Sequence, residues 1–342
     1  MDNLISYGQV DRRVGVQCVG KILGINYATR HLDKFGIATT AKKNMGDTIK
    51  WRRYFSFPVS AAEAPLTEAI PPSAIPLTWQ DYSAVLQEYG AVSELTQKAK
   101  DLHEDDLFRQ AIEKHGELMA EVLETITWKT LTGGCTNKFY ANGAAGRTSV
   151  DDAISHADVG LVVRSFGRVN AKPIRNMVPP TDKVSTRGIM PGFMAFGHPD
   201  LKDDIKATKG FTPYVEYGSP DNKYEGEYGA IGEVRFCFSS LYRALAAAGA
   251  STADMLASGG KPSGATACDI YQILILAREA YGIVRLAGEE SVGLKIIQPD
   301  QLDSGNRLGQ KGSVGWLVRY AVAILDMQRL AVLEVACRHT PQ

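Results

Sequence analysis

The chain reads as an α+β protein, and three observations predict that class. They are an alternating run from Thr48 to Val59, one long amphipathic helix opening near Glu104, and a second half of short hydrophobic strands separated by loops and a short helix. With 342 residues there is enough chain for about two or three domains or subdomains around buried cores. Hydrophobic residues at 44% and charged residues at 22% are ordinary for a globular protein. Lys and Arg number 38 against 38 Asp and Glu, so no net field draws the chain to nucleic acid or to an anionic membrane. Near-zero charge also weakens self-repulsion and favours association.

The opening stretch MDNLISYGQVDRRVGVQCVG has no basic region followed by a long apolar one, so no secretory signal is expected. No run approaches the ~18 apolar residues of a spanning helix, and an intracellular protein is expected. Cys18, Cys135, Cys237, Cys268 and Cys337 are scattered without CxxC spacing, which predicts reduced thiols and no structural zinc.

Taken in order, residues 1 to 45 lack periodicity and include the polar stretch KFGIATTAKKNMGD, which reads as an extended arm. From Thr48, the residues Ile49, Trp51, Arg53, Phe55, Phe57 and Val59 fall on one face and Lys50, Arg52, Tyr54 and Ser56 on the other, predicting a strand. Residues 61 to 78, AAEAPLTEAIPPSAIPLT, follow. Pro65, Pro71, Pro72 and Pro76 block a ladder there, while Leu66, Ile70, Ile75 and Leu77 are large and apolar. A connection of 18 residues exceeds the usual ~12–15. Its aliphatics argue against plain disorder, so it is expected to rest on a partner surface. Trp79 to Leu95 resumes in aromatic and β-branched style, with Gly90 as a bend or bulge. Together these make a long hairpin with a wide tip, and a two-stranded ribbon needs a platform.

Glu104, Asp105 and Asp106 sit where the positive end of a helix dipole favours carboxylates. Phe108, Ile112, His115, Met119, Val122 and Ile126 then form one apolar stripe, and Gly133 and Gly134 end the helix. His115 reads as a packed core histidine, since no second His lies at i+4. Gly116 reads as a close crossing. Residues 135 to 148 are turn-rich, and Ser149 is expected to cap a second helix to about Asn170. GIMPGFMAFGHP, AIGEVRFCFSS, DIYQILILA, YGIVRLAG and LKIIQP read as strand segments, with LKDDIKA as a short helix. The final run SVGWLVRYAVAILDMQRLAVLEVACR fits either a helix or two strands turning near Asp326. Alternation of Trp316, Val318, Tyr320, Val322 and Ile324 favours the strands. These strands and the long helix are expected to pack together, with residues 150 to about 300 inserted between them.

Chemistry is scarce. SGGKPSGAT lacks the order GxxxxGK[ST] of a phosphate-wrapping loop and reads as a surface loop. Cys135 has no nominated histidine partner, no HExxH or GxSxG occurs, and Asp203 and Asp204 diverge on their helix. No catalytic, cofactor-binding or metal-binding residue is nominated. The basic cluster Lys42, Lys43, Lys50, Arg52 and Arg53 has two readings. One is contact with phosphates, with Trp51 or Tyr54 stacking on bases. The favoured one is pairing with acidic groups of a neighbouring chain, drawn from Glu88, Glu94, Asp101, Glu104, Asp105 and Asp106, because the charges balance and Trp51 already has a packing role. That reading makes association salt-sensitive near Lys50 and Arg52.

The order of parts, with the stretches KKNMGDTIKWRRYFSFP, APLTEAIPPSAIPLT, LHEDDLFRQAIEKHGELMAEVLETIT and RLGQKGSVGWLVRYAVAIL, resembles the tailed-bacteriophage major capsid proteins of the Hong Kong 97-type fold. Within them it is similar to the branch typified by the N-four-type major coat protein, over roughly residues 30 to 340. The resemblance implies an N-terminal arm at 1–45 and an extended hairpin loop at 46–100, with its tip at 60–78 lying across an adjacent subunit. It implies a peripheral domain with a spine helix at 101–149, an axial domain at 150–300, and a return to the periphery at 301–342. Lys50, Trp51, Arg52, Arg53, Leu66, Ile70, Ile75, Leu77 and Trp79 are the implied inter-subunit contacts.

The implied function is a non-catalytic shell protein, without cofactors, that self-assembles as hexamers and pentamers into an icosahedral head around double-stranded DNA. It would be made in the host cytoplasm and end in the virion, away from any membrane. DNA would be touched non-specifically, and a portal, a decoration protein and a scaffolding protein are expected partners. The scaffold is expected as a separate chain because only about 45 residues precede the hairpin. Some shells of this fold are cross-linked through a hairpin lysine, but residues 54 to 97 contain none, so this tip is not expected to do so. Encapsulin-like nanocompartment shells are the alternative within the same architecture, and a soluble enzyme with an unrecognised site is the third reading.

Overall fold

The computed structural model describes residues 4–5, 31–59, 74–102, 106–174, 191–216, 224, 226–251, 267–288, 294–302 and 305–338. In chain order the elements are β1 (Leu4–Ile5), β2 (Ile37–Ala41), β3 (Thr48–Tyr54), β4 (Trp79–Val85), β5 (Gln87–Thr96), α1 (Gln97–Leu102), α2 (Leu107–Gly134), β6 (Lys138–Tyr140) and α3 (His156–Arg168). They continue with β7 (Phe193–Gly197), α4 (Lys202–Ala207), β8 (Phe211–Pro213), β9 (Glu227–Ile231), β10 (Val234–Phe238), β11 (Ile270–Leu276), β12 (Tyr281–Leu286), β13 (Leu294–Ile297), β14 (Lys311–Ile324) and β15 (Leu330–Ala336). Each hydrophobic segment of the second half becomes a strand, LKDDIKA becomes α4, and the last run becomes two strands turning at Asp326, whose side chain accepts the Gln328 N–H.

A seven-stranded sheet runs in the order β6-β15-β11-β7-β10-β9-β8. Residue parity sorts its side chains. Phe193, Ala195, Phe236, Ile273, Ile275 and Leu333 face Val159, Val162 and Phe166 of α3 and Ile205 of α4. The alternate residues Met194, Phe196, Leu274, Leu276 and Val332 face Met119, Leu123, Trp128 and Leu131 of α2. With both faces covered, these strands read as near-continuous hydrophobic runs, interrupted by Arg235, Gln272 and Glu334, and not as alternation. A six-stranded sheet has the order β1-β5-β14-β12-β2, with β13 also paired to β14. Trp316, Val318 and Tyr320 of β14 and Ile283 of β12 close on α2 from that sheet, so the helix serves both.

Four expectations about local structure change. The stripe of α2 begins as predicted with Phe108, His115 and Met119 buried. Farther on, Leu123, Thr127, Trp128 and Leu131 take the buried positions, while Val122 and Ile126 pack at the margin, because the helix now meets two surfaces. Ser155 caps α3 in place of Ser149: its hydroxyl accepts the Asp158 N–H and the Asp158 carboxylate accepts the Ser155 N–H. Both serines stand three residues before an aspartate, but Val150 and Ile154 are needed in the sheet core, which removes the earlier frame. Gly116 marks no crossing, since nothing lies within 4 Å of a Cβ built there. Gly90 is not a bend: β5 runs straight through it opposite Leu317, and a Cβ there would stand 2.7 Å from the Trp316 carbonyl oxygen. The break falls instead at Leu86, where the chain leaves one sheet for another.

Candidate inter-subunit ribbon

β3 and β4 form a separate two-stranded antiparallel ribbon, registered from Thr48 opposite Val85 to Tyr54 opposite Trp79. Its inner face carries Ile49, Trp51 and Arg53, as the alternation predicts, and its root rests on the six-stranded sheet. Ile49 and Trp51 pack there with Ala41, Ala84, Val284 and Ala321. The Trp51 indole N–H donates to Thr39 Oγ1 at 3.3 Å, and the ring lies so close over Gly282 that a Cβ there would stand 2.8 Å from it. Arg53 reaches the turn between β14 and β15, its Nη1 2.5 Å from Asp326 Oδ2. Asp326 also holds Arg329, so two guanidinium groups share one carboxylate.

The outer face carries charge. Arg52 forks onto Asp81, Nε to Oδ1 at 2.7 Å and Nη2 to Oδ2 at 2.9 Å, and its guanidinium lies 5.4 Å from the centre of the Trp79 ring. The hydrogen bonds from Arg52 hold the Asp81 carboxyl below its usual range, and those to Asp81 raise the guanidinium in turn. Lys50 is exposed beside them. Toward the distal end the ribbon turns apolar. Tyr54, Phe55, Phe57, Val59, Leu77 and Trp79 are all exposed, Val59 by 80% and Trp79 by 54%. Pairing continues past the strands, with the Phe55 N–H donating to the Thr78 carbonyl at 3.0 Å. Single exposed hydrophobics are ordinary, but six together at one end of a ribbon make an apolar patch of the kind found at interaction surfaces.

The nine residues singled out from sequence therefore divide. Lys50, Leu77 and Trp79 are exposed, Ile75 is half-buried, and Leu66 and Ile70 lie outside the described residues. Trp51 and Arg53 have partners on their own chain, and Arg52 has its partner within the ribbon. Of the acidic groups expected to face a neighbour, Glu88 pairs with Arg319 at 2.6 Å, Asp101 accepts from Gln97, and Asp106 caps α2. Glu104 and Asp105 lie outside the described residues. Sequence reasoning put Tyr54 on the outward face without naming it as a contact, and missed Phe55, Phe57 and Val59 as outward groups. Their aromatic density was visible, but the alternation was carried past Tyr54, where the strand and its platform end.

Among the described residues no group of three or more His, Cys, Asp or Glu is placed to hold a metal ion, and no helix is long and apolar enough to cross a membrane. Cys135, Cys237, Cys268 and Cys337 are buried thiols, and burial pushes the Cys237 thiol well up. His115 is buried, one ring nitrogen 2.9 Å from Ser93 Oγ, and burial lowers its pKa.

Comparison with solved structures finds the same architecture almost end to end. The capsid of Ralstonia phage GP4 aligns over 99% of this chain and 99% of its own, with a TM-score of 0.64 at 10% identity. The head of Helicobacter pylori bacteriophage KHP40 aligns over 97% of this chain and 98% of its own, with a TM-score of 0.63 at 12% identity. The SrpI encapsulin complex of Synechococcus elongatus aligns over 96% and 95%, with a TM-score of 0.55 at 12% identity. No curated protein matches the chain by sequence. At such identities the structures speak for the fold alone, and the family is carried by sequence: the model described as phage capsid protein matches residues 81–326. That span runs from the second strand of the ribbon to the turn that anchors Arg53, well over half of the 342 residues, and the chain belongs to the phage capsid protein family.

Proposed function

We propose that the chain is the major coat protein of a tailed-phage head, a non-catalytic subunit that self-assembles as hexamers and pentamers into an icosahedral shell around double-stranded DNA. The observation that carries this reading is the exposed apolar end of the ribbon, formed by Tyr54, Phe55, Phe57, Val59, Leu77 and Trp79. Such a surface is covered when the ribbon, as the extended loop at 46–100, lies across a sister subunit. A repeated head-to-tail contact of that kind closes into rings. In the same reading, 1–45 is the N-terminal arm, 101–149 and 301–342 build the peripheral domain around α2, and 150–300 is the axial domain. Leu66, Ile70, Ile75, Leu77 and Trp79 meet the sister subunit directly with Lys50, while Trp51, Arg52 and Arg53 set the ribbon's angle and stiffness. A separate scaffolding protein, a portal and a decoration protein complete the particle, which is made in the host cytoplasm and becomes the virion shell.

The likeness to an encapsulin supports a second reading, a shell of the same build around protein cargo. Particles purified from infected cells that protect DNA from nuclease support the phage head; particles holding an enzyme and no DNA support the encapsulin. The test of assembly itself is Leu77→Asp with Trp79→Asp. Both side chains are exposed in the subunit, so folding is expected to survive, whereas burying an unpaired carboxylate at each contact costs several kcal/mol and stops assembly. Normal particles from the double variant in negative-stain images would falsify the reading.

A further inference from the structure

A hollow of about 700 Å³ opens beside the C-terminal half of α2, with Lys129, Lys138, Arg147 and Arg243 in its wall beside Trp128 and Gln272. The cations come from α2, from β6, from the turn before α3 and from the loop after β10, so the fold gathers them, not a run in the sequence. Among the described residues no Asp or Glu lines the hollow. In a chain with no net formal charge this is a concentrated excess, and concave walls of low dielectric focus its field.

Arg147 is already engaged. Its Nε and Nη2 donate to the buried Glu334 carboxylate at 2.7 and 2.5 Å, and Gln272 donates to the same group at 2.8 Å. Lys129, Lys138 and Arg243 make no ion pair with any described residue, which leaves about three positive charges on the void. The carbonyl end of α2, with Thr132 and Gly133 in the wall, offsets only about half a charge. Trp128 is held rigid by stacking on Tyr242, ring centroids 4.1 Å apart.

We propose that this hollow binds a phosphate-bearing ligand. One carboxylate is satisfied by one cation, whereas several cations converging on a single void suit a group carrying several charges and many acceptor oxygens. Lysine serves phosphate as a point charge, and the arginine adds a planar fork. The volume lies within the usual ~300–1,000 Å³ of ligand sites. The phosphate belongs either to a nucleic-acid backbone or to a free oligophosphate.

Calorimetric titration of the full chain with sodium triphosphate, and separately with short duplex DNA, tests this. Binding of triphosphate is expected, weakened at least about tenfold in Lys129→Gln with Arg243→Gln and unchanged in Lys209→Gln, which lies elsewhere on the surface. Duplex that competes with triphosphate identifies the backbone as the source; triphosphate binding without competition identifies a free oligophosphate. Lys129 and Arg243 are exposed, so the double variant should melt with the wild type, and Arg243→Gln alone repeats the measurement if it does not. Absence of triphosphate binding, binding undiminished in the variants, or an equally tight glutamate-rich peptide that shares their loss would each overturn the proposal.

Discussion

Glu124 joins segments that are far apart in sequence. From the middle of α2 its Oε1 accepts the N–H of His31 at 2.9 Å, the N–H of Leu32 at 3.0 Å and the hydroxyl of Tyr242 at 2.5 Å. Tyr281 of β12 donates to the Leu32 carbonyl, so the fully buried Leu32 is clasped from both sides. Burial pushes the Glu124 carboxyl above its usual range, against the pull of its three donors. For a carboxyl raised in this way, the favourable contribution is complete below its ordinary pKa of 4.5 and is lost as pH rises through the folded value. Glu124→Gln keeps an acceptor oxygen without the charge. It should therefore unfold at a higher temperature than the wild type at about pH 8, with the gap closing on acidification. Glu124→Ala orphans buried donors and should cost about 1–3 kcal/mol for each. A glutamine variant less stable than the wild type at about pH 8 would show that the donors, not burial, dominate. Gly282 tells a similar story. Gly282→Ala brings a methyl to 2.8 Å from the Trp51 ring, and overpacking should cost about 1–3 kcal/mol, read as a lower melting temperature with shifted tryptophan emission. Neither residue was legible from sequence. The inward face of Trp51 was, because alternation is local; Glu124 and Gly282 answer to partners that only the fold brings near.

At the scale of elements, the same division between local and distant causes recurs. The length and capping of α2 and the root of the ribbon follow from neighbours in sequence. The strands β11 and β15 were legible as strands but not as to face, since helices cover both sides of their sheet and erase the alternation. That β12 and β13 join β14 while β15 joins β11 has no local signature at all. The ribbon shows what this costs in prediction: carried beyond Tyr54, the period assigned Phe55, Phe57 and Val59 inward, yet a strand's inner face exists only where a platform lies beneath it. The Arg53 to Asp326 pair, only 26% and 15% exposed, is the last anchor before the apolar end. Arg53→Met should loosen the ribbon without melting the body. Amide exchange in β3 and β4 is expected to quicken by about tenfold, equivalent to about 1.4 kcal/mol, while β11 is unchanged. Equal acceleration in β11 would mean that the pair supports the whole fold, and no change anywhere would mean that Trp51 alone holds the root.

For the whole molecule the question is which force closes the shell. The sequence points both to the apolar tip at 61–78 resting on a partner and to a basic cluster facing acids on the next chain, the second of which salt would weaken. The structure shifts the weight: Arg52 is tied to Asp81, Arg53 to Asp326 and Glu88 to Arg319, all within one chain, leaving the exposed Lys42, Lys43 and Lys50 of the cluster against six exposed hydrophobic groups. A single exposed charge pair contributes at most about 1 kcal/mol. Burying one aromatic or branched side chain contributes about 1.5–3 kcal/mol, and each subunit offers several. Raising sodium chloride from about 0.1 M to 1 M shortens the screening length from about 10 Å to 3 Å, so a charge-driven contact should fail and an apolar one persist. Ammonium sulfate, which strengthens apolar burial, should go further and lower the protein concentration at which particles form. Light scattering against protein concentration in the two salts measures both effects. Onset delayed by chloride and not advanced by sulfate would return the decisive role to Lys42, Lys43 and Lys50; with both arginines of the cluster paired in-chain and six apolar groups exposed, chloride is expected to matter less than apolar burial.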